Sequence, residues 1–388
     1  MNPEGKTNKA IKAVFLLILL GFVSCCTVLS ILRESRQQSE VENRTLAQWK
    51  EPTFQSMANG TWEESTEQFL KDQFVFREDM FKGYYLFLDL QGMAERNGHV
   101  LGRRSAVLQI INEGDTGAAK EYGTDQVELM VRLQSIADQY GGRVIYLNTP
   151  HHKEIFDDCF PAGYSRWGKI HEIRRDSIIS KAKNAGICVV ETYDLMMLHK
   201  DEYIYYYTDN HWTQKAAYYA YKELLSKIGE YEGKEMDFPD WEEMEVTVRK
   251  DRMVGSYLRK LGDSGIFMTD HMEYAIPLDM PDYVRYDDGK LTKRKLINTS
   301  VNSHGAYMAG NIGNTRVETN RPDLPSVLYI GYSYTNDLEA MSVYNFDRME
   351  SIDIRYWDGD IKEYLLESKP DYIVIVRDDF TLSNMRME

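Results

Sequence analysis

The sequence predicts an α/β fold, an open and mainly parallel sheet flanked by helices, and three observations carry the prediction. A helical pattern over 124–140, with Val127, Leu129, Met130, Leu133 and Ile136 on one side, is closed by Gly141-Gly142 and followed by the β-rich run Arg143-Val144-Ile145-Tyr146-Leu147-Asn148. The same order returns over 170–185, Gly186 and the run Ile187-Cys188-Val189-Val190-Glu191-Thr192. It returns once more near the end, where a strand over 326–330 leads to a helix over 334–344, a strand over 351–357, a helix over 359–368 and a strand over 372–376. Helices alternating with short apolar runs are the pattern of a parallel sheet covered on both faces.

Ahead of this pattern, Ala10 to Leu32 is almost wholly apolar, with Lys6 and Lys9 before it and Lys12 near its start. Its length suits a bilayer-crossing helix, and the basic flank predicts a cytoplasmic N-terminus with the remainder exported. A cleaved signal peptide shares these features, but the apolar run continues past Cys25-Cys26 to Leu32, and bulky Phe22 makes Phe22-Val23-Ser24-Cys25 a poor lipoprotein site. The expected organisation is a tail and transmembrane anchor over 1–32, a polar stalk over 33–48 and an extracytoplasmic body over 49–388. Apolar positions from Trp62 through Phe74, Phe76, Phe81, Tyr84 and Leu86 predict an amphipathic helical region whose apolar face packs into a core. The stretch 229–325 is turn-rich, with Asp287-Asp288-Gly289 and Asn311-Ile312-Gly313-Asn314, and reads as a long irregular insertion with room for a β-hairpin.

A formal net charge of −15 excludes a nucleic-acid partner, which needs clustered Lys and Arg. Cys159 and Cys188 are the only cysteines beyond the apolar segment, so a disulfide-stapled scaffold is excluded, while one disulfide and two buried thiols both remain open. The clustered tyrosines at 203–207 and 218–221 fit half-buried packing, with stacking on sugar rings as the alternative.

Two segments carry candidate chemistry. Ser333 follows the run Val327-Leu328-Tyr329-Ile330-Gly331-Tyr332 and precedes a helix, so its hydroxyl is expected at the carboxyl edge of the sheet, beside helix N-terminal amides suited to an oxyanion. Asp209 and His211 stand two residues apart, so the carboxylate can reach the near ring nitrogen, and an imidazole so held is the base a serine nucleophile needs. The competing readings are a helix N-cap for Ser333 and for Asp209. A metal reading lacks a third ligand at recognisable spacing, and in His151-His152 with Asp157 and Asp158 the adjacent histidines face apart. No cofactor is called for.

The segment Tyr207-Thr208-Asp209-Asn210-His211-Trp212-Thr213 resembles the signature of the DHHW family, with Asn210 in place of the first His of the Asp-His-His-Trp string. Further pieces stand in the family's order: Glu42-Asn43-Arg44, Asn59-Gly60-Thr61-Trp62, Asp72-Gln73-Phe74 with Arg77, Pro150 with Lys153, Gly255-Ser256-Tyr257, Gly310-Asn311, Gly331-Tyr332-Ser333-Tyr334 and Ile352-Asp353-Ile354-Arg355-Tyr356. That family is similar to the SGNH-hydrolase-like proteins of alginate O-acetylation. The resemblance implies an SGNH-like fold, a triad of Ser333, His211 and Asp209, and substrate contacts from Arg355, Tyr332 and Asn148, the last at a strand end. It departs at Tyr332, where the family has the Asp of Gly-Asp-Ser; the Tyr ring either lies along the turn or folds over Ser333 and silences it. The implied function is an extracytoplasmic, membrane-anchored carbohydrate O-acetyltransferase or esterase, with a polysaccharide acceptor and a multi-span membrane-bound O-acyltransferase as acetyl donor. A catalytically silent glycan-binding or assembly protein of the same fold is the alternative. A plain lipase is disfavoured, since the strict Gly-x-Ser-x-Gly turn is absent.

Overall fold

Alternation along the central strands decides the architecture. In the run Ser326–Gly331, Val327 and Tyr329 join one apolar cluster while Leu328 and Ile330 join another. In Tyr372–Val376, Val374 and Val376 likewise part from Ile373 and Ile375. Both faces of the sheet are therefore buried, which the absence of polar alternation required. The structure is a computed structural model that describes residues 3–39, 44–110, 116–164, 168–266 and 270–376. The chain forms two compact units, one of Met1–Asn97 with Arg259–Phe267 and one of Gly98–Leu258 with Met268–Glu388.

In the first unit, helix α1 (Pro3–Leu32) holds a 20-residue stretch, Ile11–Ser30, long and apolar enough to cross a membrane. Helices α2 (Thr61–Gln73) and α3 (Arg77–Leu90) follow one another across an elbow at 74–76. The Val75 amide at this elbow donates to Ser30 Oγ (2.8 Å), and Asp72 accepts from the Ala47 amide (2.8 Å). The expected core-packing face is not buried: Phe76, Tyr84 and Leu86 are exposed, as are Met80 and Phe87. Amphipathic spacing reports only that one face is apolar; none of the described residues of this unit covers that face, and Leu88 is the buried hydrophobe of α3. Glu42 and Asn43 of the sequence pattern lie outside the described residues.

The second unit is built on an eight-stranded sheet. In chain order its main elements are α4 (Thr124–Ala137), β1 (Arg143–Asn148), α5 (Gly168–Asn184), β2 (Cys188–Glu191), α6 (Gln214–Glu232), β3 (Val284–Asp287), β4 (Lys290–Thr292), β5 (Asn314–Glu318), β6 (Ser326–Gly331), α7 (Asn336–Ser342), β7 (Arg348–Asp353), α8 (Ile361–Ser368) and β8 (Tyr372–Val376). The strand order is β4-β3-β5-β7-β6-β8-β1-β2. The five strands from β7 to β2 are parallel, and β5, β3 and β4 continue the sheet antiparallel. Helices α4 and α8 cover one face, with Leu133 and Leu365 in its cluster; α6 and α7 cover the other, with Leu224 and Leu338. This is the open, mainly parallel α/β sheet flanked by helices that the sequence predicts.

The insertion is more regular than its sequence suggested, because three of its strands extend the sheet. Asp288 and Gly289, both with positive φ (47° and 74°), turn β3 into β4 in the manner of a tight hairpin. Arg285, 1% exposed, pairs with Asp287 (2.8 Å) and donates to the Lys295 and Met308 carbonyls. Cys159 and Cys188 are free thiols, the first buried and the second half-buried, so no disulfide joins them.

Arg285→Ala would strip a buried carboxylate of its nearest cation and orphan two carbonyls. The expected loss is about 3–5 kcal/mol, measured as a lower urea midpoint with unchanged slope; a loss within about 0.5 kcal/mol would contradict this account of the insertion.

Candidate active site

Strand β6 ends at Gly331, where a Cβ would lie 2.8 Å from Thr335 Cγ2; glycine is what allows the chain to turn at once into a 3-10 turn over Ser333–Thr335. The Thr335 amide closes that turn on the Tyr332 carbonyl (3.0 Å). Ser333 is not a helix cap: the positions preceding the turn and α7 are Tyr332 and Thr335, and neither makes a side-chain cap bond. The Ser333 hydroxyl instead lies 2.9 Å from His211 Nε2.

His211 belongs to a closed loop. Tyr205 and Trp212 pair across it, and the Thr213 amide donates to the Ile204 carbonyl (2.9 Å). Asp209 and His211 therefore project from one tight turn, and Asp209 Oδ1 lies 2.6 Å from His211 Nδ1. Thr213, not Asp209, holds the cap position of α6. Asp209 is 5% exposed, and its second oxygen accepts from the Ser256 amide (2.6 Å) while the first also accepts from the His211 amide (3.1 Å).

The insertion fixes this loop from behind. Asp270 accepts from the amides of Tyr207 and Thr208 (both 2.7 Å), from the Thr208 hydroxyl and from the Tyr203 hydroxyl (2.9 Å). The Thr208 carbonyl accepts from the Tyr257 and Leu258 amides (3.0 and 3.1 Å). That approach is so close that a Cβ on Gly255 would stand 2.2 Å from the Thr208 carbonyl oxygen. The Gly255-Ser256-Tyr257 piece thus supplies the close contact and the amide that Asp209 needs.

Burial alone would raise the Asp209 carboxyl, but the charge and hydrogen bond of His211, the Ser256 amide and His304 outweigh it and hold the group well below the usual carboxylate range. For His211, burial first and then the nearby His304 lower the imidazole against the pull of Asp209. A neutral ring with its Nδ1 proton on Asp209 leaves Nε2 free to accept from Ser333.

Around the three residues lie groups that the sequence did not single out. His304, in a 3-10 turn of the insertion, stacks on His211 with centroids 3.8 Å apart and planes 8° from parallel. Its Nε2 lies 2.7 Å from Asp337 Oδ2, which also accepts from the Trp212 indole (3.2 Å). Asp337 falls four residues after Ser333 on the helix that follows the turn, a spacing legible in principle; His304 has no such signal.

The expected substrate contacts lie nearby in the fold but are not all alike. Tyr332 packs against the cluster of Ile330, Ile352 and Ile354, on the opposite face from Tyr334 and Trp212, so its ring does not fold over Ser333. Arg355 spans the Asp353 carboxylate (2.9 and 2.6 Å) and stands over the Tyr332 ring at 5.1 Å. Asn148 is buried at the carboxyl end of β1, two strands along from β6; its Nδ2 donates to the Tyr146 hydroxyl (2.7 Å), and its Oδ1 has no hydrogen-bond partner among the described residues. Tyr205, Tyr206 and Tyr221 are fully buried and serve packing, not sugar stacking.

His151 and His152 do diverge: His152, lowered to about 4 by burial, faces the Tyr206 carbonyl (2.9 Å). His151, Glu154 and His171 bring ligand atoms within 4.8 Å of one another and could hold a metal by that measure. However, Glu154 caps the His151 amide (2.7 Å) and pairs with Arg175 (2.7 Å), so a guanidinium already occupies the place of a cation.

Among known proteins, the DHHW family model, described as "DHHW protein", matches residues 174–352. No curated protein sequence matches the chain. Of solved structures, a DHHW family protein from Eubacterium siraeum aligns with a TM-score of 0.56 and 19% identity, over 73% of this chain and 91% of its own. PatB1 of Bacillus cereus, solved with a sulfonyl adduct, aligns at 0.59 and 14% identity, over 73% of this chain and 96% of its own. The O-acetyltransferase domain of Pseudomonas putida AlgJ aligns at 0.48 and 14% identity, over 75% and 94%.

Replacing Asp209 with Asn would remove the pull that opposes burial at His211. The imidazole is then expected to titrate lower still than in the parent, read from the His211 ring resonance by NMR; a rise would refute the charge balance given above. Over residues 174–352 this chain carries the sequence pattern of the DHHW proteins, on an α/β fold that it shares with the solved DHHW family protein from Eubacterium siraeum.

Proposed function

We propose that the protein is an extracytoplasmic, membrane-anchored carbohydrate O-acetyltransferase or esterase working through Ser333, His211 and Asp209. One observation supports this above the others: an unbroken line from Ser333 Oγ to His211 Nε2 (2.9 Å) and from His211 Nδ1 to Asp209 (2.6 Å). Ser333 Oγ attacks the carbonyl carbon of an acyl donor while His211 Nε2 takes its proton. The tetrahedral oxyanion is stabilised by backbone amides at the start of the 333–335 turn. His211 returns the proton to the departing oxygen, leaving an acyl-serine. A glycan hydroxyl, deprotonated by the same nitrogen, then takes the acyl group and frees Ser333; with water in its place the outcome is hydrolysis. Asp209 orients the imidazole and balances the charge it gains.

The posture of Tyr332, away from Ser333, favours a usable serine over a silent one. Arg355, Tyr332 and Asn148 are assigned to substrate contact at the carboxyl edge of the sheet. The acetyl group, the polysaccharide acceptor and a multi-span membrane-bound O-acyltransferase as donor follow from the resemblance to alginate O-acetylation proteins. Residues 1–32 serve as tail and anchor, 33–48 as stalk and 49–388 as the body, with 229–325 inserted in it.

PatB1 carries a sulfonyl adduct, and an arylsulfonyl fluoride is accordingly the direct probe here. The expected result is a single label on Ser333 by mass spectrometry, lost in Ser333→Ala and slowed in His211→Ala. Turnover of a simple acetyl ester should fall about 10³-fold or more in either variant. A wild type that takes no label and turns over no ester would favour the silent glycan-binding protein.

The anchor has its own test. Lys6 and Lys9 before the Ile11–Ser30 stretch, with Lys12 at its start, form a basic flank on the cytoplasmic side. Protease added to intact cells should digest the chain beyond about residue 33, and full protection would reverse the orientation.

A further inference from the structure

We propose that His304 and Asp337 form a second histidine–carboxylate pair that acts on His211 as positioning residues, the His304 ring fixing the plane of the imidazole and screening it from the Asp337 carboxylate. The proposal rests on the reading of His211 as the base. Its geometry does not look like incidental packing. Two imidazoles lie face to face at 3.8 Å and 8°, in a place where an aliphatic chain would fill space without polar cost. Such a stack leaves the in-plane nitrogens of both rings directed outward: those of His211 to Asp209 and Ser333, and His304 Nε2 to Asp337.

Asp337 is where three elements meet. It sits on α7, the helix after the Ser333 turn; it accepts from Trp212, the neighbour of His211; and it accepts from His304 of the insertion. The residue is wholly buried, and its Oδ1 has no hydrogen-bond partner among the described residues. A carboxylate in that state needs a compensating charge or proton close by. His304 is the nearest group that supplies one. Without it the carboxylate would draw a proton to the next imidazole, His211. The charged and titratable groups facing His211 are Asp209, Asp337 and His304, with the Tyr334 ring at 5.8 Å. Those facing His304 are Asp337 and His211, with the Tyr307 ring at 5.4 Å. Tyr206 lies within the field of Asp337.

Two variants should move His211 in opposite directions. His304→Phe keeps a ring in the stack but leaves Asp337 uncompensated, so His211 should titrate higher. The acid limb of the pH–rate profile should rise by about one unit, a roughly tenfold loss of rate on the acid side. Asp337→Asn removes the carboxylate, and the acid limb should fall. The double variant should return toward the parent, since neither charge then remains. The measurement uses the full chain in detergent micelles, with the acetyl ester for rates and ring-labelled histidine NMR for His211, its resonance identified by loss in His211→Gln. The NMR readout needs no turnover, so an inert parent would sink the catalytic reading while this coupling is still measured. An unchanged His211 midpoint in a folded His304→Phe protein, or a midpoint moving the same way in both variants, would overturn the proposal. Should His304→Phe not fold, an Asp337→Asn midpoint that fails to fall decides against it.

Discussion

The burial of the Asp209 carboxylate is the constraint on which the rest of this structure depends. A carboxylate at 5% exposure is tolerated only where hydrogen bonds and opposite charge replace its water. Here they come from two backbone amides, at His211 and Ser256, and from the His211 ring. A hydrogen bond to a charged group contributes about 1.5–3 kcal/mol, so neither amide is dispensable. The Ser256 amide is available only because Gly255 passes against the Thr208 carbonyl where no side chain fits. Thr208 is itself pinned by Asp270. One buried charge thus dictates a glycine, a serine amide and a second buried acid, all in a segment that looked irregular.

This recasts the insertion. Three of its strands lengthen the sheet, and its irregular parts supply Ser256, Asp270 and His304 to the surroundings of Asp209 and His211. The parallel strands place Ser333 at a sheet edge, but strands alone would leave the Asp209–His211 loop unsupported. Loops held by a scaffold carry reactive groups well only when their backbone polar groups are satisfied, and the insertion provides that satisfaction.

The parallel core was legible because each strand announces itself locally, through an apolar run bounded by glycine and a helical period. Arg143–Asn148 and Tyr372–Val376 fall where the sequence placed them. The approach of Asp209, His211 and Ser333 was legible for a different reason: strand ends in such sheets share an edge. What the sequence could not disclose depends on contacts between distant segments. His304 meets His211 across 93 positions with no periodic relation, and Gly255 shows its purpose only beside Thr208. The helices at 61–73 and 77–90 were recognisable as helices, while the exposure of Met80, Tyr84 and Phe87 was not, since a moment along a helix does not say what it faces.

Tyr332 shows how strand geometry limits what a substitution can do. Alternation along β6 sends Val327 and Tyr329 to one apolar cluster and Leu328 and Ile330 to the other, and Tyr332, one residue past the strand, packs with the second. The residue before Ser333 therefore leaves the backbone on the face away from His211, whatever its side chain. An Asp there, as in the Gly-Asp-Ser pattern, and the Tyr found here start from the same side, and the Tyr ring gains a cation–π partner in Arg355 at 5.1 Å. Covering Ser333 would require the ring to give up that contact and its packing with Ile354, exposing apolar surface worth about 25 cal/mol per Å². The substitution changes the wall beside the serine and leaves the line from Ser333 to Asp209 intact, so in the proposed mechanism its effect falls on what binds next to the serine and not on the proton transfer itself.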